Sequence, residues 1–212
     1  MNMKTNMNNI KTIFLDWNGT ICNNVFWEQL NSENTKELFD KITKSLFVNN
    51  GRLINPWMKN EINMNDIINI VCDETKINKR FLKEQLIYSS INMNFINLEI
   101  PNIIKLIQEK GIKVVLASDN MDIFRYTITN LKIDLLFDDL LLSNEIGFVK
   151  SELKNNKSLF FDNYINKHHL TYNNCVLIDD SQEIANTCKS IGMNNIKIND
   201  CKKTIEELRR FA

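Results

Sequence analysis

The chain has 212 residues with 26 basic and 26 acidic side chains, so its formal net charge is zero, and at roughly 150 residues per domain it should form one domain, or one domain with an insert. A nucleic-acid-binding protein would show an excess of positive charge to neutralise phosphates, and a membrane-spanning helix would need about 18 apolar residues in a row; the sequence has neither. We expect a cytoplasmic protein, a monomer or homodimer, that binds neither nucleic acid nor membrane.

Two side-chain types stand out in the composition. Asparagine accounts for 34 residues, but outside the first nine positions it is interleaved with Ile, Leu, Phe and Val. This pattern indicates an ordinary globular chain rather than a disordered asparagine-rich tract. The 5 cysteines are odd in number and contain no C-x-x-C pair, which argues against a disulfide scaffold or a thiolate zinc site. We expect free thiols.

The first half of the chain predicts one strand and then several helices. Residues 1–9 are polar and should form a frayed tail, whereas residues 12–15 form a short apolar run typical of a buried strand. From about residue 24 to residue 97, apolar residues recur at helical spacing without an intervening strand. Asn63 and Asn78 are suited to cap two of these helices. We therefore predict an all-helical insert after the first strand.

From residue 100 onward, predicted helices alternate with predicted strands. Pro101 suits a first helical turn, and Gly111 suits the position just after a helix. The predicted helices are residues 101–110, 121–131, 157–168, 184–191 and a C-terminal helix ending at Arg209-Arg210; the predicted strands are residues 112–117, 140–142, 175–178 and 195–198. Such alternation predicts an α/β fold, with a parallel sheet covered by helices on both faces.

Polar side chains follow each predicted strand. Asp16 follows the first strand and Ser118 the second, a turn after the third ends at Lys150, and Asp179-Asp180 follow the fourth. In an open parallel sheet, ligands bind beyond the carboxyl ends of the strands. The carboxylates suit Mg²⁺, which prefers oxygen ligands. The lysine and the metal would neutralise a phosphoryl group while a carboxylate attacks it.

These segments resemble the four motifs of the haloacid dehalogenase superfamily, in order and over nearly the whole chain. The motif D-x-D-G-T is matched by residues 16–20 with one departure, and the motif of a strand-ending Ser or Thr is matched by Ser118. A Lys after a glycine-containing turn is matched by Lys150, and the final acidic pair by residues 179–180. All four motifs in order are far more specific than any one of them alone.

The resemblance implies a Rossmann-like core domain formed by residues 1–23 and 98–212, with a helical cap domain formed by residues 24–97. The cap is similar to that of the subfamily containing β-phosphoglucomutase, phosphoglycolate phosphatase and sugar-phosphate phosphatases. The implied activity is Mg²⁺-dependent hydrolysis of a small phosphorylated metabolite.

The resemblance also implies a role for each motif residue. Asp16 would be the nucleophile that becomes an aspartyl-phosphate, and Lys150 would hold both Asp16 and the phosphoryl oxygens. Position 18 would bind the metal through its backbone carbonyl. The implied metal ligands are Asp16, Asn18, Asp180 and Asp179. The implied phosphate-binding residues are Ser118, Asp119, Lys150, Gly19 and Thr20.

The departure from the family pattern is Asn18. Family phosphatases place a second Asp there, which protonates the leaving group and then activates water. Asn cannot transfer a proton, and general acid–base catalysis contributes about 10²–10⁴-fold. Metal ligation by the backbone needs no particular side chain, so we expect metal binding to persist. An alternative function is therefore a weakly active or inactive regulatory protein that binds phosphate and metal.

A third possible function, after the phosphatase and the regulatory protein, is hydrolysis of a carbon–phosphorus bond. The phosphonate-cleaving members of the superfamily share the Asp-Trp pair that residues 16–17 form here, and they need a Schiff-base lysine in the cap. Four lysines of the insert that could take this role are Lys36, Lys41, Lys44 and Lys59, and nothing in the sequence singles one out.

Other conspicuous residues are predicted to be structural. Trp17, Trp27 and Trp57 should pack in the interior, and the adjacent histidines 168–169 should lie at a helix C-terminus, because neighbouring residues on a helix point about 100° apart. Helix capping is expected for Asp119, Asn120 and Ser181.

Overall fold

The computed structural model describes residues 9–212, so the tail predicted for residues 1–9 lies outside the described residues except for Asn9. Five parallel strands form the central sheet, in the order β3-β2-β1-β6-β7, and two short strands form a separate hairpin. The strands are β1 (Thr12–Leu15), β2 (Lys113–Ser118), β3 (Asp139–Leu142), β4 (Leu153–Lys154), β5 (Lys157–Ser158), β6 (Cys175–Asp179) and β7 (Asn194–Lys197). The predicted α/β fold with a parallel sheet is confirmed.

The central strands β1 and β6 are mainly apolar, and helices cover both faces of the sheet. Every residue of β1 and β6 is buried, as expected for parallel strands between two layers of helices. The register places Leu15 opposite both Leu116 and Ile178. The residues after these positions therefore reach the same edge of the sheet, which brings the ends of β1, β2 and β6 together.

Seven helices of the α/β part follow the insert. Their bounds are α5 (Ile100–Glu109), α6 (Phe124–Leu131), α7 (Ile133–Leu136), α8 (Ser143–Ile146), α9 (Asp162–Lys167), α10 (Gln182–Ile191) and α11 (Thr204–Arg209). Residues of α5, α6 and α11 pack on one face of the sheet, and residues of α9 and α10 pack on the other. As predicted, Pro101 lies in the first turn of α5, and Gly111 follows that helix with a φ of +81°.

Residues 24–97, hereafter the helical insert, contain helices and turns but no strand. Their helices are α1 (Lys36–Thr43), α2 (Ile54–Met58), α3 (Met64–Thr75) and α4 (Lys79–Ile91), with a π-helical turn at Lys44–Asn49 and 3₁₀ turns at Glu28–Leu30 and Gly51–Leu53. The insert has a hydrophobic cluster of its own, to which Met121 and Ile123 of the α/β part also belong. Asn63 caps α3 and Asn78 caps α4, as predicted. The domain boundaries stay a prediction.

The structure corrects the helix predicted for residues 157–168. That helix begins only at Asp162, because Lys157–Ser158 pair with Leu153–Lys154 as an antiparallel hairpin. Asn155 and Asn156 form the turn with φ values of 53° and 59°, and two consecutive left-handed residues are what a tight two-residue hairpin requires. No helix among residues 9–212 is long and apolar enough to cross a membrane.

Candidate active site

A buried ion-pair cluster lies at the edge of the sheet where the strands end. Asp16 follows β1 directly, and Asp179 is the last residue of β6. The ammonium of Lys150 donates hydrogen bonds to Asp16 Oδ1 at 2.7 Å and to Asp179 Oδ2 at 2.6 Å. All three side chains are buried. The structure thus brings together three of the residues that the sequence singled out from distant segments.

The charges in this cluster shift one another's pKa values. Burial raises the pKa of Asp16 to about 7; the ammonium of Lys150 opposes this rise, and the carboxylate of Asp179 adds to it. Burial alone would lower the pKa of Lys150, but the nearby carboxylates, Asp16 first among them, hold it above its usual value. Lys150 therefore remains a cation throughout the physiological pH range, as binding to a phosphoryl group requires.

Three carboxylates in the cluster fit a divalent cation. Asp16, Asp179 and Asp180 each offer an oxygen, and these oxygens all lie within 4.8 Å of one another. Gly19 makes room for the exposed member of the set: a Cβ added there would lie 2.3 Å from Asp180 Oδ2. Its φ of +74° also favours glycine. Mg²⁺ prefers carboxylate oxygens and retained waters, so these residues suit it.

Asp119 and Asn120 form hydrogen bonds with two other residues of the site, Lys150 and Asn18, instead of capping a helix. Asp119 Oδ1 accepts a hydrogen bond from the backbone N–H of Lys150 at 2.9 Å, and the Asn120 amide donates to Asn18 Oδ1 at 3.0 Å. Helix α6 begins later, at Phe124, and has no side-chain cap. The capping prediction is therefore wrong for these two residues. It is confirmed for Ser181, whose hydroxyl accepts from Ile184 N–H at the start of α10.

Two predicted phosphate-binding residues, Ser118 and Thr20, are buried. Their hydroxyls have no hydrogen-bond partner within the part of the chain that the structure describes. A buried hydroxyl without a partner is costly, and at a functional site it is expected where a ligand supplies the bond. Ser118 is directly followed by Asp119, which lines the site. The backbone carbonyl of Thr20 instead accepts a hydrogen bond from the hydroxyl of Thr204 at 2.7 Å. Neither residue is among those that line the cavity described next, and Ser118 is linked to it through Asp119.

The cluster opens into a cavity of about 560 Å³ between the sheet edge and the helical insert. The residues that line it are Asp16, Asn18, Gly19, Asp119, Lys150, Asp179, Asp180 and Glu183 among others from the α/β part, and Gly51, Ile54, Asn55 and Met58 from the insert. The insert thus forms one wall of the cavity.

Two contacts that the sequence did not predict fasten the insert over this cavity. The indole N–H of Trp57 donates to Asp122 Oδ1 at 2.7 Å, and Lys59 forms an ion pair with Glu152 at 3.2 Å. Asp122 and Glu152 each lie within a few residues of a motif residue, yet nothing in the sequence pairs them with residues about 65 and 93 positions away.

The residues expected to be structural are in the interior or at a helix end. Trp17 is fully buried between Phe95 and Phe124. Trp27 and Trp57 are also fully buried, in the cluster of the insert. His168 ends α9. These predictions are confirmed.

The comparisons with known proteins place the fold. No protein-family model matches the sequence, and no curated protein matches it. Among solved structures, a HAD-like (haloacid dehalogenase-like) family hydrolase from Porphyromonas gingivalis has a TM-score of 0.67 at 15% identity, with 95% of this chain and 97% of that chain covered.

Two further structural neighbours were solved with groups bound to them. A HAD family enzyme from Bacteroides thetaiotaomicron, in complex with magnesium and inorganic phosphate, has a TM-score of 0.61 at 15% identity, covering 89% of this chain and 93% of that one. The L-2-haloacid dehalogenase of Xanthobacter autotrophicus, with chloropropionic acid covalently bound, has a TM-score of 0.61 at 10% identity, covering 89% and 77%. The chain therefore has the fold of haloacid dehalogenase-family hydrolases, among which both phosphate-binding enzymes and dehalogenases occur.

Proposed function

We propose that this protein is a hydrolase of the haloacid dehalogenase superfamily, a Mg²⁺-dependent phosphatase that acts on a small phosphorylated metabolite through a phosphorylated Asp16. The observation that carries this proposal is the set of three neighbouring carboxylates, Asp16, Asp179 and Asp180, of which the first two bind the ammonium of Lys150. A dehalogenase would have no use for a set of three metal-binding carboxylates. The magnesium and phosphate in the Bacteroides thetaiotaomicron enzyme support the same choice.

The residues of the site divide the chemistry among them. Mg²⁺, held by Asp16, Asp179 and Asp180 and by the Asn18 backbone carbonyl, would supply positive charge against the phosphoryl oxygens. The ammonium of Lys150 orients the Asp16 carboxylate through its 2.7 Å hydrogen bond and would bind a phosphoryl oxygen.

The Asp16 carboxylate would attack phosphorus, forming an oxygen–phosphorus bond as the bond to the leaving-group oxygen breaks. Water would then attack the phosphorylated Asp16, releasing inorganic phosphate and restoring the carboxylate. Overall, one substrate and one water are consumed, and the proton that the water loses balances the proton that the leaving-group oxygen takes up from solvent.

Asn18 determines which substrates would react fastest. Its amide oxygen accepts a hydrogen bond from Asn120, and neither amide can give up a proton to the leaving group. Loss of general acid catalysis costs about 10²–10⁴-fold when the leaving group needs a proton. Acyl and aryl phosphates, whose leaving groups depart as stabilised anions, should therefore react faster than phosphate esters of aliphatic alcohols.

The helical insert would act as the cap. It lines one wall of the cavity, and the contacts of Trp57 and Lys59 hold it against the α/β part. A closed cap excludes bulk water and selects the substrate.

Phosphate release from acetyl phosphate and from a panel of phosphate esters tests the proposal, with Mg²⁺ or with EDTA. We expect Mg²⁺-dependent turnover that Asp16→Asn abolishes, because the amide keeps the shape of the side chain but is not a nucleophile. Asp73→Asn, the same change at an exposed position of α3, is the matched control and should keep full activity. Equal release by wild type and Asp16→Asn would refute the proposal.

The second candidate function is a regulatory protein that binds phosphate and metal without turnover, and Asn18 is the observation that favours it. It predicts that wild type binds Mg²⁺ and phosphate but releases no phosphate from any substrate of the panel.

The structure gives little support to carbon–phosphorus hydrolysis. None of the insert lysines is among the residues that line the cavity. Lys59 reaches the α/β part, but hydrogen bonds from its ammonium to Glu61 and Glu152 raise its pKa, whereas a Schiff-base lysine needs a lowered pKa. Borohydride trapping of a phosphonate substrate on the protein would reverse this conclusion.

A further inference from the structure

A second, smaller cavity lies beside the first. Its volume is about 210 Å³, roughly seven times the 30 Å³ that one water occupies in the liquid. It shares two lining residues, Asn18 and Asp119, with the cavity that holds the ion-pair cluster. Asn18 lies two residues beyond Asp16, so the second cavity begins next to the point where the leaving group would depart.

The walls of the second cavity are mainly apolar. Its apolar lining residues are Val25, Phe26, Phe47, Met93 and Met121. The other lining residues are Asn18, Asn24, Asn120 and Asp119.

Most of the amide groups in these walls already have hydrogen-bond partners. Asn24 accepts from the backbone N–H of residue 94 and donates to Glu28. Asn120 donates to Asn18 and accepts from the backbone N–H of Met121. A sugar hydroxyl placed here would lose its bonds to water and find few free partners, which disfavours polyhydroxylated groups.

The charges of the lining residues disfavour a second anionic group. Asp119 is the one charged side chain among the residues that line the second cavity. In the larger cavity, Lys150 is the one basic lining residue, and its ammonium is already bound to Asp16 and Asp179. A carboxylate or second phosphate on the leaving group would meet carboxylates and no free cation.

Phe47, the most exposed aromatic residue that lines the second cavity, lies in a turn that hydrogen bonds stabilise. Phe47 lies in the π-helical turn Lys44–Asn49, a conformation that occurs frequently at functional sites. The carboxylate of Glu74 accepts hydrogen bonds from Ser45 at 2.9 Å and from Asn50 at 2.8 Å, and it also binds Asn49. These bonds fix the turn, and Phe47, which lines the cavity, is 48% exposed.

We propose that the second cavity receives the leaving group, and that the substrate is a phosphate monoester of an uncharged, mainly apolar phenol. This inference rests on the proposed phosphatase function and specifies its substrate class. The observation that supports it is the mainly apolar lining of the second cavity, which includes no basic residue and shares Asn18 and Asp119 with the larger cavity.

Phenyl phosphate and 4-carboxyphenyl phosphate form a matched pair of probes, because both release a phenol and they differ by one carboxylate. With Mg²⁺ present, we expect kcat/KM for phenyl phosphate to be at least tenfold higher. Acetyl phosphate serves as a reference, since its two-carbon acyl group is too small to fill a cavity of about 210 Å³.

Phe47→Ala should lower kcat/KM for phenyl phosphate by about tenfold or more, the usual effect of removing apolar contacts in a substrate pocket, and should change acetyl phosphate turnover less than twofold. Val48→Ala is the matched control in the same turn: Val48 is 73% exposed and does not line the cavity. It should change neither rate.

The outcomes separate the two proposals. Asp16-dependent turnover of acetyl phosphate with no preference for phenyl phosphate would overturn the substrate class and leave the phosphatase function standing. An equal loss of phenyl phosphate turnover in Phe47→Ala and Val48→Ala would also overturn the assignment of the cavity. Asp16-independent release from every substrate would overturn the phosphatase function itself.

Discussion

Substitution of Gly19 by alanine tests how closely the backbone fits the proposed metal site. The new Cβ would lie 2.3 Å from Asp180 Oδ2, while Cβ contacts below 3.0 Å essentially never occur. Asp180 must therefore retreat by about 0.7 Å, more than the tolerance of about 0.2 Å that a metal ligand has. Displacing a group that positions a ligand typically costs about 10–100-fold in metal affinity. Alanine at a φ of +74° should also cost about 1–2 kcal/mol of folding stability.

A thermal unfolding titration with Mg²⁺ separates these two effects. At a Mg²⁺ concentration of about 100 Kd, binding stabilises the wild type by about 2.7 kcal/mol, and a hundredfold weaker site leaves about 0.4 kcal/mol. For a chain of this size, 1 kcal/mol corresponds to about 2–4 °C in Tm. The Mg²⁺-induced rise in Tm should fall from about 5–10 °C to about 1–2 °C.

Gly111→Ala is the control for backbone strain. Gly111 has a φ of +81°, and an added Cβ there would have no neighbour within 4 Å. It should lower the Tm without Mg²⁺ about as much as Gly19→Ala does, and keep the full Mg²⁺ response. If Gly19→Ala kept that response too, Asp180 would not be a metal ligand.

Two other predictions concern the proton shuttle and the thiols. Asn18→Asp can keep the hydrogen bond from Asn120, since a carboxylate oxygen accepts it equally well. The substitution should raise the steady-state turnover of phosphate esters by about 10²-fold or more, because the carboxyl group can transfer a proton. Unchanged turnover in a phosphate-release assay would mean that no proton shuttle was missing. Burial raises the pKa of three thiols, from an ordinary 9.0 to about 11 or 12, in Cys22, Cys175 and Cys188. At pH 8 their thiolate fraction should be at least about 100-fold lower than normal, so a thiol reagent followed by mass spectrometry should modify the half-buried Cys72 and Cys201 first and all five only after unfolding. Rapid labelling of all five in the folded protein would contradict the burial of β6 and α10.

The parallel sheet could be predicted because its strands are short apolar runs between helices with recognisable ends. Residues 13–15 and 175–178 are continuous apolar runs, as is typical of strands buried on both faces. The hairpin formed by residues 153–158 escaped prediction because its strands have two residues each, too few for any periodicity. Only the asparagine pair 155–156 could have indicated the turn.

The candidate site could be predicted to the extent that it depends on strand ends. Asp16 and Asp179 meet because parallel strands in register end at one edge, and this follows from the order of the elements. The contact of Trp57 with Asp122 depends instead on how the insert packs against the α/β part. No local pattern in either segment encodes that orientation, and the same holds for the placement of Phe47 beside Asn18.

The asparagine at position 18 has a specific partner, and this bears on whether it is a neutral consequence of an asparagine-rich composition. Its amide oxygen accepts a hydrogen bond from Asn120, whose own oxygen is fixed by the backbone of Met121. Asn120 and Met121, which hold Asn18 in place through these hydrogen bonds, thus also form part of the wall of the apolar cavity. A site that offers an amide in place of a proton donor, next to a pocket without cations, suits a substrate whose leaving group is apolar and departs without a proton. A phenol satisfies both conditions and a sugar hydroxyl satisfies neither, so leaving-group chemistry and pocket chemistry select the same class of substrate.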